Sequence, residues 1–426
     1  MQMILDLLKA SDADAWEITS TQTEGWEFYF IRHSLDQNRV RNVKHDIVKV
    51  YKKSEDGKFL GSASGEIYPT ATEAEAKQMI DRLIFQASLV RNPYYELNQP
   101  KAATEKGTES FDIAQTAKDF IDTVKGIHED EKSDINSYEI FVSNIKRRFI
   151  NSNGIDVTSE FPSSMIETVV NARNNEHEIE LYRMYNSGTC DKEGLKNDIT
   201  ETMRYGIDRL STCPTPNLGD YPVIFSTDAA VQIYSYFIDR MNAAYKYQSI
   251  SDWETGRDVV EDVQGDRITA KIVRELKNSS ANASYDTEGA PVRDLTLIEN
   301  GVARNFWGSR QFSQYLSLED SFIGRNFAID GGHLTEEEIR DRDYLEIVEF
   351  SDFQVNAVTG DIAGEIRLAY LHKDGSTTAV SSGSATGNMR DMAKKLYASR
   401  ELRQYNNILI PKVTLLDGLT ITGNEE

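Results

Sequence analysis

The stretch Ser284-Tyr285-Asp286-Thr287-Glu288-Gly289-Ala290-Pro291, followed by Leu295-Thr296-Leu297-Ile298-Glu299-Asn300-Gly301-Val302, decides how this chain is read. Its first part is an acidic turn closed by Gly and Pro. Its second part is a strand that runs into Asn-Gly, the strongest short-range signal for a two-residue hairpin. On local physics alone it predicts a β-turn and a hairpin.

Working outward, the chain of 426 residues is too long for one ordinary core, so two domains are expected. Hydrophobic residues make up 39% and aromatics 10%, enough to build both cores. No run of apolar residues is long enough to span a bilayer, and the first residues lack the basic leader of a secretory signal. A cytoplasmic location is the expectation. The formal charge of −22 argues against broad binding to a phosphate backbone, which needs Lys and Arg to displace counterions. The one basic knot, Lys146-Arg147-Arg148, reads as the solvated edge of a strand. Cys190 and Cys213 are too few for a metal cluster and read as free thiols.

The first half mixes strands and helices. Gly25 to His33 is aromatic and β-branched, and Arg41 to Lys53 alternates before reversing through Glu55-Asp56-Gly57. Thr72 to Glu75 has capping-box spacing and opens a helix that stops before Asn92-Pro93. A polar linker follows from Lys101 to Glu109, then a helix from Phe111 to Ile127. Tyr138 to Tyr185 is a run of strands punctuated at Asn153-Gly154 and Asn174-Asn175, and Lys192 to Leu210 is helical. Thr212 to Gly219, rich in Pro and Gly, predicts a domain boundary. Beyond it come a strand at Tyr221 to Phe225 and a helix capped by Ser226, Thr227 or Asp228. The rest is strands and loops, with a capped turn of helix after Thr335 and a late helix around Asn388 to Arg403.

Several of these segments resemble one known family. Asn151-Ser152-Asn153-Gly154-Ile155 is similar to a turn leading into a long antiparallel ribbon. Pro222-Val223-Ile224-Phe225 is similar to a strand before a central helix, and Tyr245-Lys246 to the residues after it. Gly387-Asn388-Met389-Arg390-Asp391-Met392 and Leu415 to Gly423 match a helix start and a closing strand. Together with Asp286 to Val302, and in this order, they resemble the TldD/PmbA family, named both for modulation of DNA gyrase and for zinc-dependent peptidases.

The resemblance implies an α+β fold. An N-terminal mixed α/β domain, residues 1–217, precedes a β-rich C-terminal domain, residues 218–426, built around the central helix. Active members of the family carry His-Glu-x-x-x-His on that helix and a later cysteine, a donor set that holds zinc and leaves one position for water. Aligned on Tyr245-Lys246, the two histidine positions fall at Ile233 and Ile238 and the glutamate position at Tyr234. No His, Cys or Glu occurs from Ser226 to Tyr247, and no cysteine follows Cys213. The resemblance therefore implies the PmbA (TldE) branch, which lacks the metal motif and pairs with a zinc-bearing TldD-type subunit.

The expected function is a non-catalytic subunit that binds extended or unfolded peptides and supports proteolysis by that partner. No catalytic residue and no cofactor is expected in this chain, with zinc in the partner and no direct contact to nucleic acid or membrane. Two alternatives stand beside it. One is a homodimeric peptide-binding protein. The other is a metallopeptidase whose ligands have moved, with His333 and His372 as the candidates. Gly61-Ser62-Ala63-Ser64-Gly65 and Gly383-Ser384-Ala385-Thr386-Gly387 lack the central serine of a nucleophile elbow and read as turns.

Overall fold

The structure is a computed structural model that describes residues 1–103, 111–318 and 321–423. The linker read at Lys101 to Glu109 lies mostly outside the described residues. The first half runs α1 (Gln2–Lys9), β1 (Ala15–Ile31), β2 (Ser34–Lys53), β3 (Leu60–Ile67), α2 (Glu73–Ser88) and α3 (Ile113–Lys125). It continues through β4 (Ser133–Asn151), β5 (Asp156–Arg173), β6 (Glu178–Ser187) and α4 (Lys192–Arg209). Its strands form one antiparallel sheet in the order β3-β2-β1-β4-β5-β6.

Alternation along these strands separates two faces. Trp16, Ile18, Val48, Val50 and Ile150 bury against α1 and α2, while Phe30, Ile140, Val142, Ile166 and Val170 bury against α3 and α4. The capping box opens α2 as its spacing predicts: Thr72 accepts from Glu75 N, and Glu75 accepts from Thr72 N at 2.8 Å. Asp112 and Asp191 cap α3 and α4 more simply, accepting from Gln115 N and Gly194 N. The other face of the sheet, carrying Glu17, Arg147, Phe149 and Phe161, turns toward the second half.

The second half begins with β7 (Cys213–Pro214), β8 (Gly219–Phe225), α5 (Ala229–Arg240) and α6 (Ala243–Tyr247). Next come β9 (Ala270–Val273), β10 (Leu295–Glu299), β11 (Val302–Ala303), α7 (Arg310–Tyr315), β12 (Asn326–Ile329) and α8 (Glu336–Arg340). The closing run is β13 (Tyr344–Val355), β14 (Asp361–Lys373), β15 (Ser376–Ser381), β16 (Ser384–Asn388), α9 (Met389–Met392), β17 (Leu396–Ala398), β18 (Leu402–Tyr405), β19 (Ile408–Pro411) and β20 (Thr414–Thr422). One sheet has the order β11-β10-β9-β12-β19-β18. The other runs β13-β8-β20-β16-β14-β15-β7, and an added β13–β14 pairing curls it into a ring. Asn300-Gly301 makes the two-residue turn between β10 and β11, as the sequence predicts. Helix α5 lies between β13 of one sheet and β19 of the other, and the largest core cluster surrounds it.

Three local expectations are corrected. The late helix around Asn388 to Arg403 stops at Met392, followed by a 3₁₀ turn, because Leu396 to Ala398 pairs with β20 instead. Gly61 to Gly65 lies within β3, not in a turn, and Ser384 to Gly387 lies within β16. A Cβ on Gly61 would sit 1.9 Å from the Ala87 carbonyl oxygen, so the glycine is there to let the end of α2 rest on the strand. Lys146-Arg147-Arg148 is not on an edge: β4 is paired on both sides, with Arg148 bridged to Asp156 and Arg147 turned onto Phe161.

Candidate functional site

Helix α5 is a core element through most of its length. Ile233, Tyr234, Phe237 and Ile238 are buried, and the Tyr234 hydroxyl is paired with Thr414 Oγ1 at 2.8 Å. Its last residue, Arg240, is buried over the rings of Tyr236 and Trp253, with Asp252 as its carboxylate partner. A zinc ion needs imidazole, thiolate or carboxylate donors converging on one point. Hydrocarbon at 233 and 238 and a hydrogen-bonded phenol at 234 do not fit that ion. No metal-dependent step can be built on this helix.

His333 and His372 have separate surroundings. His333 is exposed, and its Nδ1 lies 2.5 Å from Asp266, which also accepts from the Ala398 backbone N–H at 2.8 Å. His372, on β14, stacks on Tyr344 with ring centroids 4.3 Å apart and meets Thr377 Oγ1 at 2.9 Å. Burial lowers its pKa. The carboxylate beside it, Glu346 at 3.9 Å, is already held by Arg340 through both oxygens and by Ser226. Among the described residues no group of three or more His, Cys, Asp or Glu side chains is placed to hold a metal. Cys190 and Cys213 are both free, and burial pushes the Cys190 thiol up to about 11, away from nucleophilic use.

The chemistry that does converge lies where the first sheet meets the Asp286 turn. The Asp286 carboxylate accepts from the backbone N–H groups of Glu288 (2.8 Å), Ala290 (2.9 Å) and Ile323 (2.8 Å). Gly289, at φ +74°, packs its Cα against Phe149 and Ile155, where a Cβ would come within 2.9 Å of both. Glu288 accepts from Arg310 N at 2.7 Å, and its carbonyl accepts from Asn98 at 3.1 Å. On the sheet side, Glu17 accepts from the Tyr51 hydroxyl at 2.7 Å. Desolvation raises all three carboxyls, Glu17 to about 7 and Asp286 to about 6, and they repel one another across the joint. The acidic turn is legible as a turn in the sequence. Its partner Glu17 is not, because it comes from the far end of the chain.

A second feature is a free strand edge. Strand β3 covers β2 only from Asp46 to Lys53, so Ser34 to His45 has no strand partner on its outer side among the described residues. Leu35 and Val40 on this edge are 51% and 75% exposed. On the same sheet, Tyr29 and Phe141 meet edge-to-face at 5.8 Å, and Tyr182 and Met184 are exposed on the opposite edge strand, β6. Unpaired backbone beside exposed apolar side chains is what an added strand requires.

The comparisons agree with this architecture. Residues 218–423 match the family model described as the PmbA/TldA metallopeptidase C-terminal domain. TldE from Thermococcus kodakarensis superposes with a TM-score of 0.79 at 18% identity, covering 99% of both chains. A candidate modulator of a DNA gyrase from Thermotoga maritima superposes at 0.78 with 16% identity, again over 99% of each chain. In sequence, a metalloprotease PmbA homolog of Haemophilus influenzae is 22% identical over 213 residues, 48% of this chain and 46% of that one. An uncharacterised protein of Methanocaldococcus jannaschii is 22% identical over 365 residues, 80% of this chain and 84% of its own length. The fold is thus α+β and built on the same plan as TldE. The C-terminal half of the chain, residues 218–423, belongs to the PmbA/TldA metallopeptidase C-terminal domain family.

Proposed function

We propose that this chain is a non-catalytic TldD/PmbA-type subunit that binds extended or unfolded peptides and supports their hydrolysis by a zinc-bearing TldD-type partner. The observation that carries the reading is α5, whose positions 233, 234 and 238 hold buried Ile, Tyr and Ile. Restoring a zinc site there would mean replacing core side chains. The peptide-binding half of the proposal is supported by the free edge of β2 from Ser34 to His45. An extended peptide pairs there through its backbone, which is the mode of recognition that tolerates many sequences. The formal charge of −22 favours cationic segments.

The test is reconstitution. Adding this chain to a zinc-bearing homologue raises hydrolysis of an unfolded protein substrate above that of the homologue alone. Unchanged hydrolysis at saturating amounts of this chain contradicts the proposal.

A further inference from the structure

Two guanidinium groups meet one aromatic ring where the first sheet faces the second half. Arg147 of β4 and Phe161 of β5 lie on the same face, since Arg147 pairs with Ser159 and Ile145 with Phe161. The Arg147 guanidinium carbon is 5.6 Å from the ring centroid. Arg325, from the segment entering β12, reaches the same ring at 4.9 Å. Phe161 is 5% exposed, and both arginines are half-buried.

Neither guanidinium has a hydrogen-bond or ion-pair partner among the described residues, and Arg325 Nη1 is buried with nothing to donate to. Most other half-buried arginines of the chain are matched, among them Arg173 to Asp134, Arg183 to Glu349, Arg340 to Glu346 and Arg403 to Asp198, although Arg209 is not. Asp286 attracts Arg325 through space, but its carboxylate is already taken by three backbone N–H groups. Desolvation, together with repulsion by Arg147, pushes Arg325 down to about 10, and burial depresses Arg147 as well. Two like charges held together out of water are costly unless an anion completes them. Planar guanidinium forks fit a carboxylate through two parallel hydrogen bonds.

We propose that Arg147 and Arg325, braced on Phe161, form a clamp for a carboxylate of a bound peptide. The carboxylate is supplied either by the peptide's C-terminus or by an Asp or Glu side chain. The inference rests on the peptide-binding reading above and adds the group that fixes where such a peptide is held.

Isothermal titration of the full chain tests it with three versions of one short unstructured peptide. One has a free C-terminus and no acidic residue, one is C-terminally amidated, and one is amidated with a single internal Glu. The clamp predicts that the free acid, the Glu-bearing amide or both bind about tenfold or more tighter than the plain amide. Arg147→Gln and Arg325→Gln each abolish that difference, and Arg325→Lys retains part of it. Recovery of tight binding by the Glu-bearing amide assigns the clamp to side-chain carboxylates, and its failure assigns it to the C-terminus. Equal binding of all three versions by the unaltered chain overturns the clamp and leaves peptide binding intact. No binding of any version overturns both. Because Arg325→Gln removes an unpaired charge, its melting temperature stays at or above that of the unaltered chain. A marked fall would make the arginine a structural brace and overturn the clamp.

Discussion

Asp286 shows how one residue fixes the turn that meets the first sheet. It is 3% exposed, and its two oxygens satisfy three backbone N–H groups, two in its own turn and one at Ile323. Asp286→Ala leaves those donors buried and unpaired. A loss of about 3 kcal/mol or more of folding free energy is expected, read as a lower urea midpoint at unchanged slope. A loss within experimental error would mean that water or a relaxed backbone replaces the carboxylate. The sequence shows the turn, since Asp, Gly and Pro announce it by their own backbone preferences. It does not show that Glu17, beside Lys49 in the first sheet, lies close to Asp286 and Glu288 across the joint, because that proximity depends on how the distant segments pack. Arg147 is hidden in the sequence for the same reason: a basic residue within a charged triplet has the look of a solvated one, and the ring beneath it comes from the neighbouring strand.

Among the elements, α5 is the one on which the proposed function turns. Its apolar stripe at helical spacing predicts a packed helix, and Ile233, Tyr234, Phe237 and Met241 are all fully buried. Ile233→Ala is expected to cost about 2–5 kcal/mol, the range for emptying a well-packed aliphatic site, with denaturation melts as the measurement. A cost near zero would place this helix outside the core. Elements with strong local signals were legible throughout: the capping boxes at Thr72 and Thr335, the helices α3 and α4, and the Asn300-Gly301 hairpin. Elements decided by tertiary partners were not. Leu396 to Ala398 carries a helix-compatible pattern but is captured by β20, and the glycines of β3 mark a close approach to α2 that looks like a turn in one dimension.

For the whole molecule, the joint between the halves predicts a pH response. Desolvation raises Glu17 from 4.5 to about 7 and Asp286 from 3.8 to about 6, and Glu288 moves the same way. Lys49, Arg310 and the Tyr51 hydroxyl oppose the shifts without reversing them. Between each ordinary value and its raised value the folded chain holds a proton that the unfolded chain has released. The stability from these groups is therefore fully present below the unfolded values and is lost as pH rises through about 6 to about 7. His372, whose pKa is lowered, works in the opposite direction near its ordinary value of 6.5, so comparison with a variant isolates the joint. Glu17→Gln keeps an acceptor for Tyr51 and flattens the fall in urea midpoint between about pH 5 and about pH 8. An equally steep fall in that variant would show that Glu17 does not hold the proton.

The central claim is that the chain does not itself carry the zinc proposed for its partner, and metal content tests it most directly. Elemental analysis of the protein purified alone, without chelators, is predicted to give close to no zinc per chain. A value near one zinc per chain would contradict the account, because it would mean that a donor set other than α5 holds the ion.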